Sequence, residues 1–206
     1  MSILLIRHGE TALNVARILQ PADTPLSARG IEQAQALAQH LAGVGVGVAA
    51  ILASDLPRAR HTAEIIAAAT GAPIETTELL RERNFGDWRG QPYDTLPPDR
   101  LLMAEAPPGG ESGAAFADRV AQAFALVVQR AATTPGALAV VSHGLVVGAM
   151  LASHIQLPTG AAQPAHLGNT GLTVFDAAPP HLASRVNSTD HLAGNDRDDP
   201  QALSGG

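Results

Sequence analysis

Cysteine is absent from all 206 residues, which excludes disulfides, thiol nucleophiles and cysteine-ligated metals. Aromatic residues make up only 3% of the chain, so the core must be assembled mainly from Ala, Val, Leu and Ile. Charged residues are scarce at 16% against 46% apolar, the balance of a globular rather than a disordered chain. Basic residues are outnumbered, 13 Lys and Arg against 19 Asp and Glu, for a formal net charge of -6. That argues against nucleic acid as a partner and confines any anion site to a local basic pocket. No apolar run is long enough to cross a membrane. Arg7 and His8 interrupt the short apolar run near the first residue, so no signal peptide is read and a cytoplasmic location is expected. There is no glycine-rich loop of P-loop or dinucleotide type and no long internal repeat.

What is present is an alternation of apolar runs and amphipathic stretches. Ile3–Ile6 reads as a strand buried on both faces. After it comes a loop to Pro25, with one short helical turn around Leu13–Arg17. A helix follows from Ser27, which can cap it, with Ile31, Ala34, Ala38 and Leu41 on one face. Gly43–Gly47 breaks that helix, and Val48–Ala53 is a second buried strand. Ser54 or Asp55 is fit to cap the next helix, Pro57 suits its first turn, and Gly71 stops it. Ile74–Leu80 reads as a third strand. Phe85 and Trp88 read as packing residues that cover the loop after Glu82 and keep water from the site, and residues 92–110 form a proline-rich excursion with a short helix near Asp99–Ala104. From Glu111 a helix presents Phe116, Val120, Ala123, Val127 and Val128 inward, with Asp118, Arg119, Gln122 and Gln129 outward. Ala137–Val141 is a fourth strand, Leu145–Ile155 a buried helix, and Gly171–Phe175 and His181–Val186 a final strand pair turned at Pro179-Pro180. The expectation is an α/β fold, a three-layer αβα sandwich on a mostly parallel sheet. It should form a single domain over residues 1–193, with the excursion at about 87–110 as a lid and a polar tail over 194–206.

In such sheets, ligands bind at the carboxyl ends of the strands. Arg7 and His8 follow the first strand, Arg58 the second, Glu82 the third and His143 the fourth. Taken singly, each has an ordinary alternative. Arg58 reads equally well as a surface arginine, Glu82 as a salt-bridged residue between Arg81 and Arg83, and Asn14 as a turn asparagine. Gly9 lets the backbone turn and approach a ligand. Taken together, they supply a nucleophile, cations and an acid, which is the equipment of phosphoryl transfer. His40, His61, His154, His166, His181 and His191 show no metal-ligand spacing and read as structural or surface residues.

The sequence resembles the histidine phosphatase superfamily, the phosphoglycerate-mutase-like proteins. The matching segments are Arg7-His8-Gly9-Glu10-Thr11 with Asn14, Pro25-Leu26-Ser27 with Gly30 and Gln33, and Ser54-Asp55-Leu56 with Arg58-Ala59 and Thr62-Ala63. They continue with Leu80-Arg81-Glu82, Gly86, Trp88 and Gly90, and then Ser142-His143-Gly144. They stand in the family's order over nearly the whole chain. Pro21 departs from the pattern, since relatives often carry glycine there. The resemblance implies that His8 attacks phosphorus and becomes a phosphohistidine. It implies that Arg7, Arg58, His143, Asn14 and Gly144 bind the phosphate and that Glu82 acts as proton donor and then base. No metal and no cofactor are implied, and the substrate is a small phosphate ester. Arg83-Asn84-Phe85-Gly86-Asp87-Trp88-Arg89-Gly90 after Glu82 is similar to the phosphatase branch, and the 92–110 excursion is short, with only Arg100 as a cation. A metal-independent phosphomonoesterase is therefore expected. A cofactor-dependent phosphoglycerate-type mutase is the alternative, and a non-catalytic phosphate-binding module a further one. Specificity residues are expected in Asp87–Gly110 and around Asn169. The physiological substrate is not legible, and a homodimer is left open.

Overall fold

Ile3 and Leu5 of the opening strand are buried in one core, Leu4 and Ile6 in another. Burial on both faces puts this strand inside the sheet, with a helical layer on each side. The computed structural model describes residues 1–43, 45, 47–97 and 103–192. The strands are β1 (Ser2–Arg7), β2 (Val48–Ser54), β3 (Ile74–Thr77), β4 (Ala137–Ser142), β5 (Leu172–Asp176) and β6 (Ala183–Ser188). The helices are α1 (Ala12–Val15), α2 (Ala28–Gly43), α3 (Pro57–Thr70), α4 (Gly113–Thr133) and α5 (Gly144–Ser153). They build a six-stranded sheet in the order β3-β2-β4-β1-β5-β6. The first three pairings are parallel and the last two antiparallel, so only β5 runs against the rest. Helices α2 and α3 cover the face of Leu4 and Ile6, while α4 and α5 cover that of Ile3 and Leu5. This is the expected αβα sandwich.

Local chemistry fixes the helix ends. Ser27 Oγ accepts the Gly30 N–H at 3.0 Å and starts α2. Pro57 occupies the first turn of α3, and Gly71, with φ 73°, ends it in the left-handed region. Ser112 Oγ accepts from Ala115 and starts α4, two residues beyond the expected Glu111.

Several expectations are corrected. Neither Ser54 nor Asp55 caps α3, whose N-cap is Leu56 with no side-chain cap bond. Ser54 Oγ lies beside His143, and Asp55 is taken by Arg81. The third strand stops at Thr77, because Thr77 Oγ1 accepts the Leu79 N–H at 3.2 Å and turns 78–80 into a 3-10 helix. That turn carries Leu80 into the core. Arg119 does not face solvent. Its side chain is only 19% exposed and donates to the carbonyls of Leu79 and Arg81. The short helix expected near Asp99–Ala104 lies largely outside the described residues, as do Arg100 and the 194–206 tail. No helix among the described residues is long and apolar enough to cross a membrane.

Candidate active site

Three parallel strands end at one edge of the sheet. Register pairs Arg7 of β1 with Ser142 of β4, so the residues that follow, His8 and His143, stand side by side. Their rings are 5.1 Å apart, edge to face. β2 ends next to β4 and hands the chain to α3, whose first turn holds Arg58. β5 runs the other way and therefore begins at this same edge, which brings the loop before it against β1. Leu167 O accepts from Arg7 Nη1, and Gly171 O accepts the Arg7 N–H at 3.3 Å.

His8 is fully buried and held at both ends of its backbone. Its N–H donates to Ser142 O at 3.0 Å. Its carbonyl accepts Asn169 Nδ2 at 3.0 Å and the Thr170 N–H at 3.3 Å. Thr170 holds φ 55°, an unfavourable conformation for a β-branched residue. His8 Nδ1 lies 2.7 Å from Gly9 O. A carbonyl only accepts, so Nδ1 carries the proton and Nε2 is the nitrogen able to react. Gly9 is needed for close backbone packing as well: a Cβ there would strike the carbonyl oxygen of Gly30 in α2.

Arg58 is 1% exposed. Its Nη1 reaches Pro21 O at 3.4 Å, and its Nε has no partner. Burial pushes its pKa down to about 10, Glu82 opposes that shift, and Arg89 and Arg7 add to it. The departure at Pro21 thus supplies only a carbonyl. His143 is fully buried, with Nε2 2.9 Å from Ser54 Oγ and Nδ1 without a partner. Burial, then the charges of Arg58, His8 and Arg7, hold its pKa well below the ordinary histidine range, so the ring is neutral.

Glu82 is not paired with either flanking arginine. Arg81 clamps Asp55 and sits 3.0 Å from Glu78. Arg83 Nη2 turns away to the carbonyls of Met103 and Glu111. The Glu82 carboxyl instead accepts two backbone N–H groups, from Arg83 at 2.9 Å and from Leu145 in the first turn of α5 at 3.0 Å. Burial nevertheless raises its pKa, and these two bonds with the charges of Arg58 and Arg7 only partly offset that. Asn14 is buried in the loop after β1. Its Oδ1 accepts the Thr11 N–H at 3.0 Å, which completes a capping box on α1 and leaves the amide NH₂ as its uncommitted end. Gly144 opens α5 directly after His143, where first-turn N–H groups lack intrahelical partners.

Arg7, His8, Arg58, Glu82 and His143 are therefore gathered at one edge. Thr170 is a supporting residue on which the sequence carries no signal. Ser54 reads as a helix cap and also stands in the Ser54-Asp55-Leu56 segment of the resemblance, and Asn169 lies where specificity residues are expected; the structure sets Ser54 against His143 and Asn169 on the His8 carbonyl. Among the described residues, no group of three or more His, Asp or Glu side chains could hold a metal ion.

Proteins of known sequence and structure resemble the chain over most of its length. A probable phosphoglycerate mutase, GpmB, of Yersinia pestis (strain Pestoides F) is 35% identical over 195 residues, 89% of each chain. The solved phosphoserine phosphatase of Entamoeba histolytica superposes with a TM-score of 0.74 at 28% identity, over 93% of this chain and 98% of that one. A mycobacterial glucosyl-3-phosphoglycerate phosphatase does so with a TM-score of 0.73 at 29% identity, over 91% and 98%. Residues 3–187 match the family itself, and the chain belongs to the histidine phosphatase superfamily, branch 1.

Proposed function

We propose that the protein is a metal-independent phosphomonoesterase that acts on small phosphorylated metabolites through a phosphohistidine. His8 Nε2 attacks phosphorus while Glu82 gives its proton to the departing ester oxygen. Glu82, now a carboxylate, takes a proton from water, which attacks the phosphohistidine and returns His8 and inorganic phosphate. Arg7, Arg58, His143 and the Asn14 amide hold the phosphoryl oxygens, with the Gly144 N–H as a further donor. At 4 Å and an effective dielectric near 20, each cation stabilises a unit negative charge by roughly 4 kcal/mol. Two arginines can therefore carry the charge of the transferring group without a metal.

The observation that carries this reading is the state of Arg58. Among the described residues it is a fully buried guanidinium with one long bond to a carbonyl, no ion pair and an orphaned Nε. The carboxyl nearest in charge, Glu82, is itself driven toward its neutral form. A buried cation without a buried anion is costly, and an oxyanion ligand relieves it. The orphaned Nδ1 of His143 belongs to the same cluster.

Hydrolysis is favoured over mutase action by the two phosphatases among the similar structures and by the short 92–110 excursion. The mutase reading keeps one specific support, the printed name of the Yersinia relative. The test is hydrolysis of p-nitrophenyl phosphate in EDTA, followed by acid-quench trapping of labelled phosphate. Wild type should turn over and trap label on a histidine, and His8→Ala should do neither. Label on a histidine in His8→Ala reassigns the nucleophile. Isomerisation of 3-phosphoglycerate that outpaces its hydrolysis selects the mutase.

A further inference from the structure

β5 begins at the edge that carries His8 and His143, and β6 runs antiparallel to β5, so the chain returns to that edge as β6 ends. There it meets the loop of residues 166–170, which leads into β5 and touches both Arg7 and His8. Asn187 grips the front of this loop. Its Oδ1 accepts the Gly168 N–H at 3.0 Å, and its Nδ2 donates to His166 O at 2.8 Å. These two bonds bracket Leu167, whose carbonyl accepts from Arg7 Nη1. The fit is close, since a Cβ on Gly171 would strike Asn187 Oδ1.

His191 grips the back of the loop. Its Nε2 lies 2.9 Å from Oγ1 of Thr170, a fully buried residue. The Thr170 hydroxyl has one proton and gives it to Asn169 O at 2.7 Å. The imidazole is therefore the donor, with its proton on Nε2. Burial, then His40, bring the His191 pKa down to about 4 against the pull of Asp190, so the ring is neutral and carries that single proton. The bonds thus run from His191 through the Thr170 hydroxyl to Asn169. Both residues so tied end on the His8 carbonyl, Asn169 through Nδ2 at 3.0 Å and Thr170 through its N–H at 3.3 Å. Thr170 holds φ 55°, a conformation that a β-branched residue does not keep without support. His191 is itself seated against α2. Its ring lies 6.1 Å from that of His40, and Leu192, the next residue, is buried beside Gln33 and Ala36.

We infer that His191 is a positioning residue of this active site, which fixes the backbone of His8 through Thr170 and Asn169. This rests on the reading of His8 as the nucleophile. Asn187 holds the loop on the other side of Asn169, so loss of the His191 bond frees residues 169–170 and leaves Leu167 on Arg7. The attacking ring is then misplaced while the phosphate ligands stay where they are.

The test compares His191→Phe, which keeps a ring and removes the donor, with His191→Gln, whose amide N–H can stand where Nε2–H stands. In His191→Phe, kcat for alkyl and aryl phosphates should fall alike, by about fivefold to a hundredfold, the range for a buried polar group left unsatisfied. The inhibition constant of inorganic phosphate should not change. His191→Gln should lie closer to wild type than to His191→Phe. Thr170→Val should match His191→Phe, and the double variant should be no slower than either, because both changes break one bond. A lower melting temperature with kcat unchanged, equal losses in the Phe and Gln variants, or weakened phosphate inhibition in His191→Phe overturns the positioning role. Failure of the hydrolase reading shows separately, as no hydrolysis of any ester by wild type. Amide exchange then decides about His191. The Thr170 N–H should exchange faster in His191→Phe by the same factor, while the Gly168 N–H keeps its wild-type rate, and an unchanged Thr170 rate overturns the inference. Nitrogen-15 spectra of wild type alone give one more check: His191 should be the Nε2–H tautomer, and the Nδ1–H tautomer overturns the bond to Thr170.

Discussion

The hydroxyl of Ser54 lies 2.9 Å from Nε2 of His143 and sets which nitrogen of that ring bears the proton. Ser54 Oγ accepts the Leu56 N–H at 3.3 Å, and among the described residues the imidazole is the only acceptor within its reach, so a buried hydroxyl that must donate sends its proton to Nε2. With the ring held neutral, the imidazole proton then sits on Nδ1, the orphaned atom. Ser54→Ala should lose this control. The expected loss in kcat/KM is about tenfold to a hundredfold, with the fold intact and Ser54→Thr close to wild type. Nitrogen-15 spectra of the histidines give the direct check: His143 should be a single Nδ1–H tautomer in wild type and a mixture in Ser54→Ala. An unchanged tautomer would show that the serine only fills space.

Glu82 should leave its mark on pH dependence. Burial raises its pKa, so its protonated form persists above the ordinary carboxylate range. As an acid it works only while protonated, so kcat for alkyl phosphates should fall as pH rises through that raised value. The folded state also holds this proton more tightly than the unfolded chain does, so Glu82 opposes folding increasingly as pH rises through the same window. Glu82→Gln should remove the limb and slow alkyl esters by about 10²- to 10⁴-fold. Aryl phosphates, whose leaving groups need little protonation, should lose much less. Equal losses on both ester classes, measured side by side, would deny Glu82 the acid role.

Much of this was visible in the chain before folding, and what was hidden has a physical reason. Arg7, His8, Arg58 and His143 follow apolar runs or open helices, and a parallel sheet converts such positions into neighbours. The antiparallel β5 was harder to read. Its direction is not written in the period of Leu172–Phe175, yet it alone brings Asn169 and Thr170 onto the His8 carbonyl. Glu78-Leu79-Leu80 continues an extended-looking pattern, so the sequence lengthens the third strand, and a single bond from the Leu79 N–H to Thr77 Oγ1 ends it. Helical periodicity counts a guanidinium as polar and so puts Arg119 outside. Its long stem and five donors instead satisfy carbonyls that no strand partner covers.

That placement of Arg119 makes it the strut of the Glu82 segment. One guanidinium ties Glu111 on one side to the carbonyls of Leu79, Arg81 and Glu82 on the other, at 2.9, 2.7 and 3.4 Å. Arg119→Ala leaves those carbonyls without this donor and the Glu111 carboxylate with the Asn84 N–H at 3.3 Å, while Arg119→Lys keeps the charge but cannot span both groups. Loss of hydrogen bonds to a charged group costs about 1.5–3 kcal/mol, and for a chain of this size each kcal/mol lowers Tm by about 2–4 °C. Arg119→Ala should therefore melt about 3–12 °C below wild type in calorimetry. The loosened segment should also misplace the Glu82 carboxyl, so kcat for alkyl phosphates should fall more than kcat for aryl phosphates. A lower Tm with an unchanged alkyl-to-aryl ratio would confine Arg119 to holding the fold, with no part in aiming Glu82.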